Sequence, residues 1–493
     1  MSTIIQISVI LVVVLYTAAL IFILCYSLTQ AHLLSGYLFH RKKYKTEQQP
    51  LKYFDTLPMV TVQLPVYNEK YVAERLIDCI AKLDYPAGKL EIQVLDDSTD
   101  ETVRIIAGKV ARLKGILDIK HLHRTNRSGY KAGALKEGLA IASGELIAIF
   151  DADFLPERNF LLKTVPHFIN ERVGMVQTRW SWINKSYSLI TRVQAFALDA
   201  HFSIEQVGRN ILNGFINFNG TAGIWRKSCI IDAGNWQADT LTEDLDLSYR
   251  AQLRDWKFVY LEEVSSPSEL PPVMSAVKTQ QYRWNKGGAE TAKKHLHHVI
   301  YADKPFRVKW HGILHLLTSG VFLSALTCAL LSVPMLLIRH SYPAYSNLFT
   351  LANYCFTSFL ILGAIYLVSV TMQYKSRWNG VLVFLQTMPA FLSLSLGLTL
   401  HNGIAVLEGY WGRKTPFVRT PKFNVTSQQD PWSGNQYLKK GFNKLTIAET
   451  GLMIYFAAGV LLAFQLHDFA LLPFHVLLVV GYGGVVYYTF ADH

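Results

Sequence analysis

From Met1 to Phe39 the chain carries no Lys, Arg, Asp or Glu, and Ile4 to Cys25 is almost unbroken apolar sequence. As a helix, such a run is long enough to cross a hydrocarbon core of roughly 30 Å, so an integral membrane protein is expected. No basic stretch precedes it and no small-residue cleavage site follows, which predicts an uncleaved anchor and not a signal peptide. The basic run Arg41-Lys-Lys-Tyr-Lys45 comes next. By the positive-inside rule it stays in the cytosol and leaves the N-terminus outside. Charged residues make up only 17% of the 493-residue chain, as suits a membrane protein.

Between about residues 55 and 305 the pattern changes. Val60-Thr-Val-Gln-Leu64, Glu91-Ile-Gln-Val-Leu95, 119–122 and 146–150 are short runs rich in β-branched residues, with helical patterns at 70–83, 102–113 and 131–142. Strands alternating with helices predict a mostly parallel α/β sheet covered on both faces. Such sheets bind ligands beyond the carboxyl ends of their strands. Polar motifs sit at three of those ends: Pro65-Val-Tyr-Asn-Glu69, Asp96-Asp-Ser98 and Asp151-Ala-Asp153.

After Trp310 the sequence is apolar again over 312–338, 349–374, 379–407, 450–466 and 469–490. If all of these crossed, the basic stretch from Arg413 to Lys422, with Lys439, Lys440 and Lys444, would be external, opposite to the basic loop Lys375–Arg377. The conflict disappears if 379–407 lies at the interface. Gln386, Ser393, His401 and Glu408 fall on one helical stripe there, and Pro389 interrupts the run. The expected organisation is an N-terminal anchor (1–40), a cytosolic domain (41–310), two spans (311–375), an interfacial helix and loop (376–445) and two further spans (446–493). External loops reduce to 339–348 and a few residues near His467.

Two carboxylates one residue apart, Asp151 and Asp153, end an apolar strand and suit Mg²⁺ or Mn²⁺ held against a diphosphate; a solvated turn is the plain alternative. Asp96 and Asp97 either cap the following helix or accept from a nucleobase N–H. Lys131 sits at a helix N-terminus, where an ammonium and the helix dipole together favour phosphate. Asp244, in Leu241-Thr-Glu-Asp-Leu-Asp246, is the candidate general base for a hydroxyl. Which of Glu243, Asp244 and Asp246 points inward stays open at this level. Gln280, Arg283 and Trp284 share one helix face, an Arg for a departing diphosphate and a Trp for a sugar ring. A core Trp beside a snorkelling Arg is the bland competitor. The net charge of +12 raises nucleic acid, but no nucleic-acid motif is present. Cys25, Cys79, Cys229, Cys328 and Cys355 have no paired spacing, so neither a disulfide framework nor a cysteine zinc site is expected.

These elements, in this order, resemble the family 2 processive glycosyltransferases, the cellulose-synthase-like group with its D, D, D, QxxRW signature. The resemblance runs from Val60 to about Lys294 and into the following membrane region. Gln93-Val-Leu-Asp-Asp-Ser-Thr-Asp100, Asn219-Gly-Thr-Ala-Gly223 and Trp256-Lys-Phe-Val-Tyr260 are similar to the plant A- and C-type members. The resemblance implies a cytosolic GT-A domain joined to an α-helical region of about five spans plus interfacial helices. It implies Tyr67, Glu69 and Asp97 at the nucleobase, Lys131, Gln280 and Arg283 at the diphosphate, and Asp151 and Asp153 at Mg²⁺ or Mn²⁺. Asp244 would be the base, and Phe218, Asn219, Gly220, Thr221, Glu243 and Trp284 would frame the acceptor. Phe417-Val-Arg-Thr-Pro-Lys422 resembles the family's FxVTxK gating loop, keeping Phe417, Thr420 and Lys422 but placing Arg419 at the Val position.

The expected activity is inverting, metal-dependent polymerisation of a β-1,4-glucan or mannan from UDP-glucose or GDP-mannose, with export through the chain's own helices. Its partners would be the donor, the growing polysaccharide and membrane lipid, not nucleic acid; accessory subunits and a homo-oligomer are left open. The compact chain suggests a bacterial inner membrane, and no cyclic-di-GMP-binding domain is expected in it. Two rivals stand beside this reading: transfer of one sugar to a lipid such as ceramide or diacylglycerol, and a transporter or scaffold in which the acidic clusters are incidental.

Overall fold

Val60–Val66 (β1), Leu90–Asp96 (β2), Asp118–His123 (β3), Leu146–Ile149 (β4), Val173–Trp182 (β5), Gly223–Arg226 (β6) and Lys257–Ser268 (β7) build one seven-stranded sheet, ordered β3-β2-β1-β4-β6-β5-β7. The computed structural model describes residues 3–47, 54–342, 346–427, 429–432, 434–438 and 444–492. Lys439 and Lys440 lie outside the described residues, as do the side chains of Lys45 and Cys355. All neighbouring strands run parallel except β6, which is antiparallel to both β4 and β5. Every residue of β2 and of β4 is buried, as expected for strands covered on both faces.

One face carries Val62, Leu64, Ile92, Val94 and Ile119 into a core shared with the helices Ala73–Ile80 and Thr102–Leu113. The other face is partly polar, and those groups are paired: Thr61 donates to Glu91 at 2.6 Å and the Gln63 amide donates to Gln93 at 3.0 Å. Chain order reverses at β1, which lies between β2 and β4. The ends of these three strands therefore open on one crevice, where ligands of such sheets bind.

The N-terminal helix does not stop at residue 40. It runs from Thr3 to Glu47, roughly 68 Å at 1.5 Å per residue, about twice the depth of a hydrocarbon core. Its last turns are held by the sheet domain: Tyr37 is fully buried, Tyr44 donates to the Tyr260 carbonyl at 2.8 Å, and Arg41 lies 3.4 Å from Glu262. Arg41 of the basic run is thus part of a domain contact, and the run does not end the helix.

Among the described residues, five helices are long and apolar enough to cross a membrane: Ile4–Tyr44, Gly320–Ser341, Arg377–Gly397, Lys444–Gln465 and Leu472–Ala491. Arg377–Gly397, expected at the interface, is among them. The run at 349–374 forms the helix Ser346–Thr371, apolar over Thr357–Thr371, where its side chains are described. Pro389 lies inside Arg377–Gly397, and the break comes instead at Leu398, before Thr399–Trp411. The start of this pair and its break both lie beside the sheet domain. Lys185 donates to Gln373 at 3.0 Å just before it, and His401 lies 2.8 Å from the Lys278 carbonyl just after the break.

Gly397 and Gly481 let two of these helices touch backbone to backbone; a Cβ on Gly481 would overlap the Ser393 carbonyl oxygen. Gly481→Ala is expected to lower stability by about 1–3 kcal/mol through forced separation of the helices. Gly451, with no atom near its would-be Cβ, is the control: Gly451→Ala should be neutral or gain up to about 1 kcal/mol. Thermal unfolding in detergent distinguishes them, and equal melting points would refute the close-contact role.

Candidate active site

β4 delivers Asp151 to the crevice. Its backbone N–H donates to the Thr221 hydroxyl at 2.8 Å, and its carboxylate accepts from Lys131 at 2.6 Å. Lys131 lies in the first turn of the helix Tyr130–Ile141, which begins after Gly129 in the left-handed region (φ 70°). Its ammonium also donates to the Gly220 carbonyl at 2.9 Å. Burial works against that charge, but Asp151 first and Glu243 next outweigh it, and the lysine pKa is raised. Gly220 adopts φ +82°, and a Cβ there would lie 3.0 Å from Asp244 Oδ2. Only glycine combines that backbone with so close an approach.

Glu243 and Asp244 open the helix Glu243–Leu253, and both line the cleft. Burial foremost, then the Glu243 charge, pushes Asp244 up to about 7, against the opposing pull of Lys131. Glu243 is raised for the same first reason. Asp246 points elsewhere, meeting Arg250, Lys294 and His295 at 2.7 Å each. Burial alone would raise it, yet hydrogen bonds from His295 and Arg250 hold it well below the carboxylate range. The choice left open among the three carboxylates is thereby narrowed to the first two.

Gln280, Arg283 and Trp284 all reach the cleft from the helix Met274–Tyr301, as their spacing requires. The segment after Trp411 folds over the same cleft. Phe417 stacks on Tyr130 with ring centroids 5.7 Å apart and lies beneath the Arg283 guanidinium at 4.7 Å. Arg419 meets Glu69 at 3.1 Å, and Lys422 meets Asp153 at 2.8 Å. Glu269 accepts the backbone N–H groups of Phe423 and Asn424 at 2.9 Å each. Thr420 lines the cleft from this segment as well.

Tyr67, Glu69, Asp97, Lys131, Asp151, Asp153, Asn219, Gly220, Glu243 and Asp244 thus share one cleft with the Gln280 helix and the Phe417 loop. Phe218 and Thr221 do not face it. Both are fully buried, Phe218 against Trp225 and Thr221 beneath Asp151, so they support the cleft from behind. The chain turns at Gly220, with φ +82°, so Asn219 and Gly220 reach the cleft while Phe218 and Thr221 stay behind it.

Sequence reasoning missed several neighbours. Arg124 binds both oxygens of Asp97 at 2.7 Å, and the Arg127 guanidinium lies 3.3 Å from the Tyr67 ring centroid. Trp180 and Trp182 enter from β5, and their alternate spacing on one strand face was the available signal.

Asp151 and Asp153 fit a divalent cation. Asp153 Oδ1 is buried with no hydrogen-bond partner, a costly state that a cation would relieve. An all-oxygen donor pair suits hard ions such as Mg²⁺ or Mn²⁺.

Residues 58–287 match the family model described as "Glycosyltransferase like family 2". The chain is 46% identical over 254 residues to a probable glucomannan 4-beta-mannosyltransferase 11 of Oryza sativa, covering 50% of this chain and 44% of that protein. It is 41% identical over 289 residues to glucomannan 4-beta-mannosyltransferase 1 of Cyamopsis tetragonoloba, covering 57% and 54%. The chain spans about half the length of the curated relatives it matches. These relatives are plant proteins and lend no support to a bacterial inner membrane. The mannosyltransferase PcManGT from Pyrobaculum calidifontis, solved with GDP-Man and Mn²⁺, shares the fold: TM-score 0.51 at 19% identity, over 80% of this chain and 100% of that one.

The Arg419–Glu69 pair and the Arg419 guanidinium 4.9 Å from the Tyr437 ring centroid pin the loop across the cleft. Arg419→Val is expected to speed amide hydrogen exchange in 417–427 without changing it in the sheet. Unchanged exchange in that segment would show that the loop is held by other contacts.

Proposed function

Residues 58–287 belong to the family 2 glycosyltransferases, in their cellulose-synthase-like group, and from that premise we propose that the chain is an inverting β-1,4-mannan or glucomannan synthase taking its sugar from GDP-mannose. The observation that carries this reading is the Asp244 carboxylate, held near neutrality in one cleft with Lys131, Asp151, Arg283 and Trp284. The names of the plant relatives, and GDP-Man in the Pyrobaculum neighbour, favour mannose over glucose.

In this reading the acceptor sugar lies against Trp284 with its hydroxyl toward Asp244. Asp244 takes the hydroxyl proton as the oxygen attacks the anomeric carbon, and the bond from that carbon to the diphosphate breaks on the opposite face. One displacement turns an α-linked donor into a β-linked product. Lys131 and Arg283 neutralise the charge that gathers on the leaving diphosphate. A divalent ion on Asp151 and Asp153 would add Lewis-acid stabilisation of the same group. Tyr67 and Arg127 present flat faces suited to a nucleobase, and the Phe417 loop covers the donor.

The proposed topology places the catalytic domain in the cytosol and the N-terminus outside. The pair Arg377–Gly397 and Thr399–Trp411 starts and finishes on the catalytic-domain side, which supports an interfacial course for it. The remaining apolar helices would conduct the polymer across the membrane.

A donor screen on the purified chain in nanodiscs with Mg²⁺ or Mn²⁺ tests the proposal. GDP release from GDP-mannose and a long product cut by β-mannanase are expected. A β-glucanase-sensitive polymer from UDP-glucose would overturn the sugar, and a lipid bearing one sugar would overturn polymerisation. Asp244→Asn should lower turnover by roughly 10²–10⁴-fold while leaving donor affinity near wild type. Because the group works deprotonated and its pKa is raised to about 7, the rate should rise through pH 7 and level off above it. A flat profile from pH 5 to 9 would exclude Asp244 as the base.

A further inference from the structure

Away from the catalytic cleft, the edge strand β3 carries His121-Leu-His123. Residues two apart on a strand project from the same face, so both imidazoles stand on one side of the sheet. Register places His121 opposite Val94 and His123 opposite Asp96 of β2. The His121 Nε2 lies 2.8 Å from Asp96 Oδ2, and the His123 Nδ1 lies 3.4 Å from the same oxygen. One ligand atom from each residue falls within 4.8 Å of the others. The Asp96 side chain is fully buried, whereas those of His121 and His123 are 16% and 34% exposed, so the cluster opens outward to solvent.

We propose that Asp96, His121 and His123 form a Zn²⁺-type transition-metal site, with water completing four-coordination. Two imidazoles and a carboxylate are a zinc donor set, and imidazole nitrogen discriminates against Mg²⁺. Two ligands at tetrahedral Zn²⁺ stand about 3.3 Å apart, close to the spacing already present here. The second Asp96 oxygen accepts the Ser98 N–H at 2.9 Å, which orients the carboxylate as outer-shell partners of metal ligands do. His123 Nδ1 also lies 3.1 Å from the Asp96 carbonyl, and metal binding exchanges that hydrogen bond for a coordinate bond.

The site is separate in place and chemistry from the oxygen-only pair Asp151 and Asp153. It clamps the ends of β2 and β3, where the Arg124 N–H donates to the Asp96 carbonyl at 2.9 Å and its guanidinium holds Asp97. A bound ion there would fix the strand ends from which Asp97 enters the cleft.

The test is Zn²⁺ titration by calorimetry on the full chain in nanodiscs, in millimolar Mg²⁺ to occupy oxygen-only sites. One equivalent of Zn²⁺ is expected to bind, with affinity falling roughly 10–100-fold or more in His121→Ala/His123→Ala. Binding should persist in Asp153→Asn, which removes a ligand of the other site. Should the double variant fail to fold, His123→Ala alone, at the more exposed position, should show the loss. Absence of binding in the wild type, or equal binding by the histidine variants, overturns the proposal.

Discussion

A buried ion pair between Lys278 and Glu449, at 2.8 Å, joins the catalytic domain to the membrane helices. Glu449 is fully buried and Lys278 nearly so, and the ammonium also donates to Thr489 at 3.1 Å. Removing one partner of such a pair strands the other charge, typically at about 3–5 kcal/mol, so the two parts are held in fixed relation. Lys278 sits on Met274–Tyr301, the helix whose opposite side carries Gln280, Arg283 and Trp284. Further along it, Tyr282 donates to Glu408, and Lys286 donates to the Arg413 carbonyl at 2.5 Å and to Thr415 at 2.7 Å. One helix thus faces the reaction on one side and the membrane region on the other. The position of Arg283 is set by contacts with the apolar helices as much as by the sheet.

The same helix fixes where the covering loop begins. Arg413 and Thr415, held by Lys286, lie just before Phe417, so the loop leaves its anchor directly above Arg283. From there its cations answer the carboxylates of the sheet edge, Arg419 to Glu69 and Lys422 to Asp153. Arg419 makes the closed position more strongly charge-paired than a valine would.

Much of this was legible in the sequence, because the signals were local. β-branched runs and helical periodicity identified β1 to β4 and the helices between them, and the acidic motifs fell at strand ends as expected. The spacing of Gln280, Arg283 and Trp284 was enough to put them on one face. What escaped depended on distance along the chain. Arg124 finds Asp97 from 27 residues away, and the antiparallel β6 enters the sheet through a pairing that no local pattern encodes. The N-terminal helix outran its predicted end because Tyr37, Arg41 and Tyr44 dock on residues near 260. Pro389 looked like a breaker, yet an apolar helix packed against its neighbours absorbs one missing hydrogen bond.

Three carboxylates within four residues meet three different fates, and their partners explain why one is suited to take a proton. Asp246 is saturated by Arg250, Lys294 and His295, which fixes it as an anion and leaves it little basicity. Glu243 and Asp244 are both buried and face Lys131, which Asp151 already neutralises in part, and the Arg283 guanidinium. Two buried negative charges side by side do not both ionise easily. Asp244 is pushed up to about 7, where a base is strong enough to assist a hydroxyl and still empty enough to accept from it. Gly220 completes the arrangement by leaving the Asp244 oxygen uncovered on the side of the cleft, where any side chain would crowd it. The basicity of Asp244 therefore follows from its burial first and from the neighbouring Glu243 charge second, which Lys131 offsets only in part.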